Sequence, residues 1–115
     1  MFNRAENKTE METGKKKVYI SGKIAHMDLD ERREAFNMAA KYWSLHGYDV
    51  FNPFENGLSQ QADWHEHMRI DIHALTECDI IYMLRGWEQS KGAKLELDVA
   101  SSCGLTVWFE TNNRE

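Results

Sequence analysis

The sequence lacks most of the features that assign a function at sight. It has one proline, Pro53, and two cysteines, Cys78 and Cys103, whose spacing matches no metal-binding pattern. Both cysteines fall in apolar segments and are expected to be buried, reduced thiols. No apolar run approaches the ~20 residues of a membrane span. The opening residues have no apolar signal core, so cytoplasmic residence is the default expectation. Neither Gly-x-Gly-x-x-Gly nor a Walker lysine motif occurs, which leaves a dinucleotide or ATP site unsupported, and no cofactor is expected. Positive charge is scarce: 14 Lys and Arg stand against 19 Asp and Glu, for a net −5. Residues 1–17 carry +2, so the remainder carries −7, the wrong sign for a nucleic-acid polymer. No repeat or linker is visible, and 115 residues suffice for one core but not for separate cofactor and substrate domains.

What is present is a regular alternation of elements. Residues 1–16 have no periodicity and few apolar side chains, and read as a flexible tail; 17–110 read as one domain and 111–115 as a C-terminal tail. Within the domain, "KVYISG" is a β-branched and aromatic run closed by Gly22. "DLDERREAFNMAAKYWSLHG" follows as a helix, with Asp28 as N-cap, Glu31 three residues on, and Leu29, Phe36, Ala40 and Trp43 at helical spacing. "YDVFNPF" is a second strand stopped by Asn52-Pro53. Asp63 and Glu66 repeat the Asp-x-x-Glu start, and Trp64, Met68, Ile72 and Leu75 form the apolar stripe of a second helix. "DIIYML", apolar on both parities, predicts a strand buried on both faces. A third helix runs from Ser90 to about Ser102, and "LTVWFE" is the last strand. The order β-α-β-α-β-α-β predicts an α/β fold, a small Rossmann/flavodoxin-like domain: a four-stranded parallel sheet in the order 2-1-3-4 with helices on both faces. Ligands of such sheets bind beyond the carboxyl ends of the strands at the reversal of winding, here between "SGKIAH" and "RGWEQSKG".

The third helix poses the chemical question. At about 100° per residue, Leu95, Val99, Cys103, Ala100, Ala93 and Gly92 are expected on one arc, with Glu96 near its centre and Leu97 out of place. A carboxylate on a buried arc is costly unless it is paired or works in a cleft. Asp71 lies at the margin of the Met68–Ile72–Leu75 stripe and is expected to be half-buried near the strand ends. Two carboxylates aimed at one cleft are what glycosidic chemistry requires, one acting at the sugar carbon and one handling a proton. Gly22, Gly86 and Gly92 suit close approach of a ligand to backbone. Ser90 is placed as an N-cap that presents backbone N–H groups to an anion. Trp87, a large aromatic in a polar loop, is expected to pack on a nucleobase or on a neighbouring subunit. In "WHEHMRIDIH" only His67 and Asp71 share a helix side, no third ligand is evident, and the histidines read as solvated; no metal is expected.

Taken in order, "YISGKI", "GYDVFNPF", "DIHALTECDIIYML" and "SKGAKLELDVA" resemble the landmarks of the nucleoside 2-deoxyribosyltransferase-like superfamily. The resemblance spans about Lys17 to Phe109. It is nearest to a small bacterial and phage branch with a Gly-Trp-Glu-x-Ser-x-Gly-Ala signature, close to the 2′-deoxynucleoside 5′-phosphate N-hydrolases. It implies that Glu96 is a nucleophile toward the anomeric carbon, that Asp71 protonates or hydrogen-bonds the departing base, and that Tyr19 orients the nucleophile. Ser90 matches the serine that the N-hydrolases turn toward the 5′-phosphate. Ser21, Gly22, Lys23, Gly86, Trp87 and Gly92 are the further substrate-binding candidates. The expected partners are a small-molecule nucleotide or nucleoside and a second copy of the chain in a homodimer or higher oligomer. Two departures stand out: Lys23–Met27 replaces the arginines and glycines that hold phosphate, and Asp98 stands where a glycine is usual. They motivate an alternative, a nucleotide-like ligand-binding module without turnover.

Overall fold

The computed structural model describes residues 15–111. The tails assigned to 1–16 and 111–115 lie almost wholly outside the described residues. The order of elements is β1 (Lys17–Ser21), α1 (Leu29–Leu45), β2 (Asp49–Phe51), α2 (Trp64–Thr76), β3 (Ile80–Met83), α3 (Lys91–Ser102) and β4 (Thr106–Phe109). The four strands are all parallel and lie in the order β2-β1-β3-β4, the arrangement expected from the alternation. Among the described residues, no helix is long and apolar enough to cross a membrane.

Strand parity divides the core. On β1, Val18 and Ile20 point to one face and pack with Phe36 and Trp43 of α1, together with Ile80 and Leu84. Tyr19 points to the other face and packs with Leu75 of α2, Ala93 and Ala100 of α3, and Ile81 and Met83. The continuous apolar run of β3 follows: Ile80 and Leu84 serve the α1 face, Ile81 and Met83 the opposite one. One helix thus covers one face and two cover the other.

Helix starts follow the caps. Asp28 accepts from the backbone N–H of Asp30 and Glu31, and Asp63 with Glu66 forms a reciprocal capping box. Strand β2 is shorter than "YDVFNPF" suggests, because Pro53 cannot donate to a ladder and the Asn52 side chain accepts from Phe54 N–H, turning the chain into a 3-10 turn.

Three readings of amphipathicity are corrected. On α1 the buried positions are Arg32, Phe36 and Trp43, and Leu29 is exposed. On α3 the inner face is Ala93, Glu96 and Ala100 with Leu97 against the same core, while Leu95 is 44% exposed. Ala93, Leu97 and Ala100 sit within one 80° arc at helical spacing, and Leu95 lies opposite it. Cys103 is exposed because it caps α3 beyond the last buried turn; Cys78 is buried, and both are free thiols.

Candidate active site

The parity that sends Tyr19 toward α2 and α3 sends Ser21 there too, since the two are separated by one residue on a strand. Facing them, α3 begins at Ser90, whose Oγ accepts from Ala93 N–H at 3.0 Å. The small side chains of Ala93 and Ala100 let this helix lie close to the sheet, and Glu96 projects between them. It is 6% exposed. The Tyr19 hydroxyl donates to Glu96 Oε2 at 2.8 Å, and the Ser21 hydroxyl donates to Oε1 at 2.7 Å. Each carboxylate oxygen therefore has its own hydroxyl donor, which offsets part of the cost of burial.

Burial still dominates. It pushes the Glu96 carboxyl up to about 7, against the pull of the Ser21 and Tyr19 hydrogen bonds, with the nearby Asp71 charge adding to the rise. The N-terminus of α3 does not offset this, because Glu96 lies beyond the first helical turn, where the dipole effect has faded. Burial and the two carboxylates also drive the Tyr19 phenol well above its usual value, so Tyr19 stays a hydrogen-bond donor.

Asp71 comes from α2 and is buried, not half-buried as its place on the stripe suggests. Burial raises its carboxyl, while a hydrogen bond from Asn56 lowers it. Asn56 Nδ2 donates to Asp71 Oδ1 at 2.9 Å. Asp71 and Glu96 line one cavity of about 400 Å³, beyond the carboxyl ends of β1 and β3 at the reversal of winding.

The other candidates divide into two groups. Gly22, Lys23, Ser90 and Gly92 line this cavity with the two carboxylates, and Ser21 reaches it through Glu96. Gly86 and Trp87 do not line it. Gly86 has a left-handed φ of 93° that opens the 3-10 turn Trp87–Gln89, so the glycine is explained by the turn. Trp87 is half-buried against the core beneath α3, with its ring 5.7 Å from that of Phe109. Lys23 Nζ donates to the Gln89 carbonyl at 3.0 Å, tying the loop after β1 to the loop after β3.

Space is tight at Gly22. A Cβ there would lie 3.1 Å from Leu84 Cβ and 3.2 Å from Phe36 Cζ. Gly22→Ala is expected to destabilise the fold by about 1 kcal/mol, read as a lowered midpoint in urea at unchanged slope.

Several residues of the site were not legible in advance. Arg32 is buried on α1, and its Nε donates to the Lys23 carbonyl at 2.8 Å, fixing the first loop from below. His26 lines the cavity with a left-handed φ of 65°. Asn56 and His67 surround Asp71, and both ring nitrogens of His67 are engaged, which corrects the reading of that histidine as solvated. The one available signal was the four-residue spacing of His67 and Asp71. Among the described residues, no group of three or more His, Cys, Asp or Glu side chains is placed to hold a metal ion. Asp98 is exposed and lies off the face that carries Glu96.

Fold and site together define a small α/β domain with paired carboxylates in a cleft at the strand tips. Residues 16–109 match the family described as "Domain of unknown function (DUF4406)", and the chain belongs to that family. No curated protein matches it. Among solved structures it is similar to the CMP N-glycosidase BcmB of Clostridium botulinum, at a TM-score of 0.58 and 18% identity, over 82% of this chain and 70% of that one. That likeness is one of fold, the α/β architecture that the superfamily resemblance implies.

Proposed function

We propose that this protein cleaves the N-glycosidic bond of a small nucleotide or nucleoside, by hydrolysis or by transfer of the deoxyribosyl group. The observation that carries the reading is a buried glutamate with a hydroxyl donor on each oxygen, sharing a 400 Å³ cavity with a second buried carboxyl. A cavity of that volume suits a ligand of nucleotide size. The similarity of fold to a CMP N-glycosidase supports the same class of substrate.

In this reading a Glu96 oxygen forms a bond to the anomeric carbon as the carbon–nitrogen bond breaks, and the electron pair leaves with the base. Asp71 supplies a hydrogen bond or proton to that base. Water, or a second base in a transfer reaction, then displaces Glu96 from the sugar, and its proton passes to Asp71. Tyr19 and Ser21 hold the nucleophile in place throughout. Ser90, at the start of α3, and Lys23 are the groups placed for a 5′-phosphate.

A panel of deoxynucleosides, their 5′-monophosphates and CMP, incubated with the protein and assayed for free base, tests the proposal. Release of base from at least one member is the expected result, and none from any, with folded protein at high concentration, would overturn it. The attacking carboxylate must be ionised, so kcat/KM is expected to fall about tenfold per pH unit on the acid side of the Glu96 value of about 7. Self-association belongs to the same reading. Trp64 is exposed at the cavity wall, where a second copy would cover it. A monomer by light scattering would remove that part alone.

A further inference from the structure

The Asp71 carboxyl is held by a short chain of hydrogen bonds that no step above uses. Leu58 N–H donates to Asn56 Oδ1 at 3.0 Å, which fixes which end of the Asn56 carboxamide is nitrogen. The Asn56 Nδ2 group then faces two acceptors, Asp71 Oδ1 at 2.9 Å and His67 Nδ1 at 3.0 Å. Nδ2 carries two hydrogens, one for each. His67 Nε2 lies 3.1 Å from the Ser59 carbonyl, which can only accept, so Nε2 carries the imidazole hydrogen and Nδ1 is left as the acceptor. The loop 56–59 is thereby pinned to α2 by one neutral imidazole in one tautomer.

The consequence falls on the two oxygens of Asp71. Oδ1 is occupied by an N–H donor, which makes it a poor seat for a proton. Oδ2 has no hydrogen-bond partner among the described residues, and Asp71 lines the cavity, so Oδ2 is the oxygen left for a ligand. A carboxyl with a fixed amide N–H on one oxygen only is directional: a proton it carries favours the other oxygen, where a departing base would meet it.

We propose that Asn56 and His67 are positioning residues that orient Asp71 and reserve its Oδ2 for the substrate, His67 acting by holding the Asn56 carboxamide and Asn56 by occupying Oδ1. The role of Oδ2 toward a base rests on the glycosidase reading, whereas the orientation of Asp71 does not. The two are therefore tested separately.

The first test needs no activity. In the intact wild-type protein, nitrogen-15 NMR of the His67 ring should show hydrogen on Nε2 and an unprotonated Nδ1. A carbon-13 titration of the Asp71 carboxyl should move upward in Asn56→Leu and in His67→Leu, since a hydrogen bond to the ionised form is lost. His67→Gln, which can accept from Asn56 and donate to the Ser59 carbonyl through one carboxamide, should restore the wild-type titration. The second test uses whichever nucleotide of the panel releases base fastest. Asn56→Leu should lower kcat by about 100-fold, with a smaller change in KM. In an Asp71→Asn background the same substitution should change nothing further, which a merely structural effect would not reproduce. Hydrogen on Nδ1, an unmoved Asp71 titration, or an equal loss of kcat in the Asp71→Asn background would each overturn the proposal. If the titrations move as stated while no substrate releases base, the positioning stands and the glycosidase reading alone fails.

Discussion

Glu96→Gln is expected to lower the rate of base release by at least about a thousandfold, equivalent to ~4 kcal/mol of transition-state stabilisation. Glutamine keeps the volume, and its carbonyl oxygen can still accept from the Tyr19 or Ser21 hydroxyl that now binds the carboxylate. It cannot form a stable ester-like bond to the sugar. Binding of the nucleotide should therefore survive nearly unchanged, measured by calorimetry, while turnover collapses. Loss of both together would mean that the side chain serves to hold ligand or fold. Equal turnover in variant and wild type would remove Glu96 from the chemistry altogether. A protein with no turnover in either form, but with intact nucleotide binding, is the ligand-binding module that the departures at Lys23–Met27 motivate.

The same substitution is expected to stabilise the protein on the alkaline side of neutrality. Glu96 titrates at 4.5 in the unfolded chain and at about 7 in the folded one. The folded protein thus holds the proton more tightly. Stability associated with this group is fully present below 4.5 and is lost as pH rises through about 7, where folding must bury an ionised carboxylate. The difference in titration corresponds to an upper limit of roughly 3 kcal/mol, or on the order of 10 °C in melting temperature for a domain of this size. Glu96→Gln has no such proton to lose. Melting curves of the two proteins should coincide below about pH 4.5, diverge between there and pH 7, and stay apart by a constant margin above it, with the variant the more stable. Coincidence at all pH values would show that the burial of Glu96 is relieved by water, and would weaken its reading as a desolvated nucleophile. The protein thus tolerates an unfavourable residue at its centre, a pattern expected where function opposes stability.

Much of the fold could be read from local pattern because strands and helices alternate at short intervals with capped starts. Asp63 with Glu66, and Ser90 before its helix, mark their helix starts within a residue. Glu96 was visible for a different reason: a charge among small apolar residues is a contradiction that only a partner resolves. Its hydroxyl partners could not be found by spacing, since Tyr19 and Ser21 are separated from it by more than 70 residues. The resemblance supplied Tyr19, and strand parity explains Ser21 after the fact. Asn56 and Arg32 were out of reach altogether. The first sits in a loop whose path depends on Gly57 at φ 91°, and the second is a charged residue on a helix face that composition would leave in solvent. The exchange of Leu95 for Leu97 has a simpler origin: with Gly92, Val99 and Cys103 included, the apolar arc on α3 spans too wide an angle to name its centre, and contact with β1 and β3 decides it.

The two hydroxyls on β1 have a consequence for how the chain can vary. Val18 and Ile20 lie between and beside them on the opposite face. A slip of this strand by one position would present two aliphatic side chains to Glu96 and leave its carboxyl buried beside hydrocarbon. Pairing in the middle of the sheet and the hydroxyl contacts to Glu96 are therefore one specification written in five residues. An insertion or deletion between Tyr19 and Ser21 would break the register of β1 with β3 and one of the two hydroxyl contacts to Glu96 together.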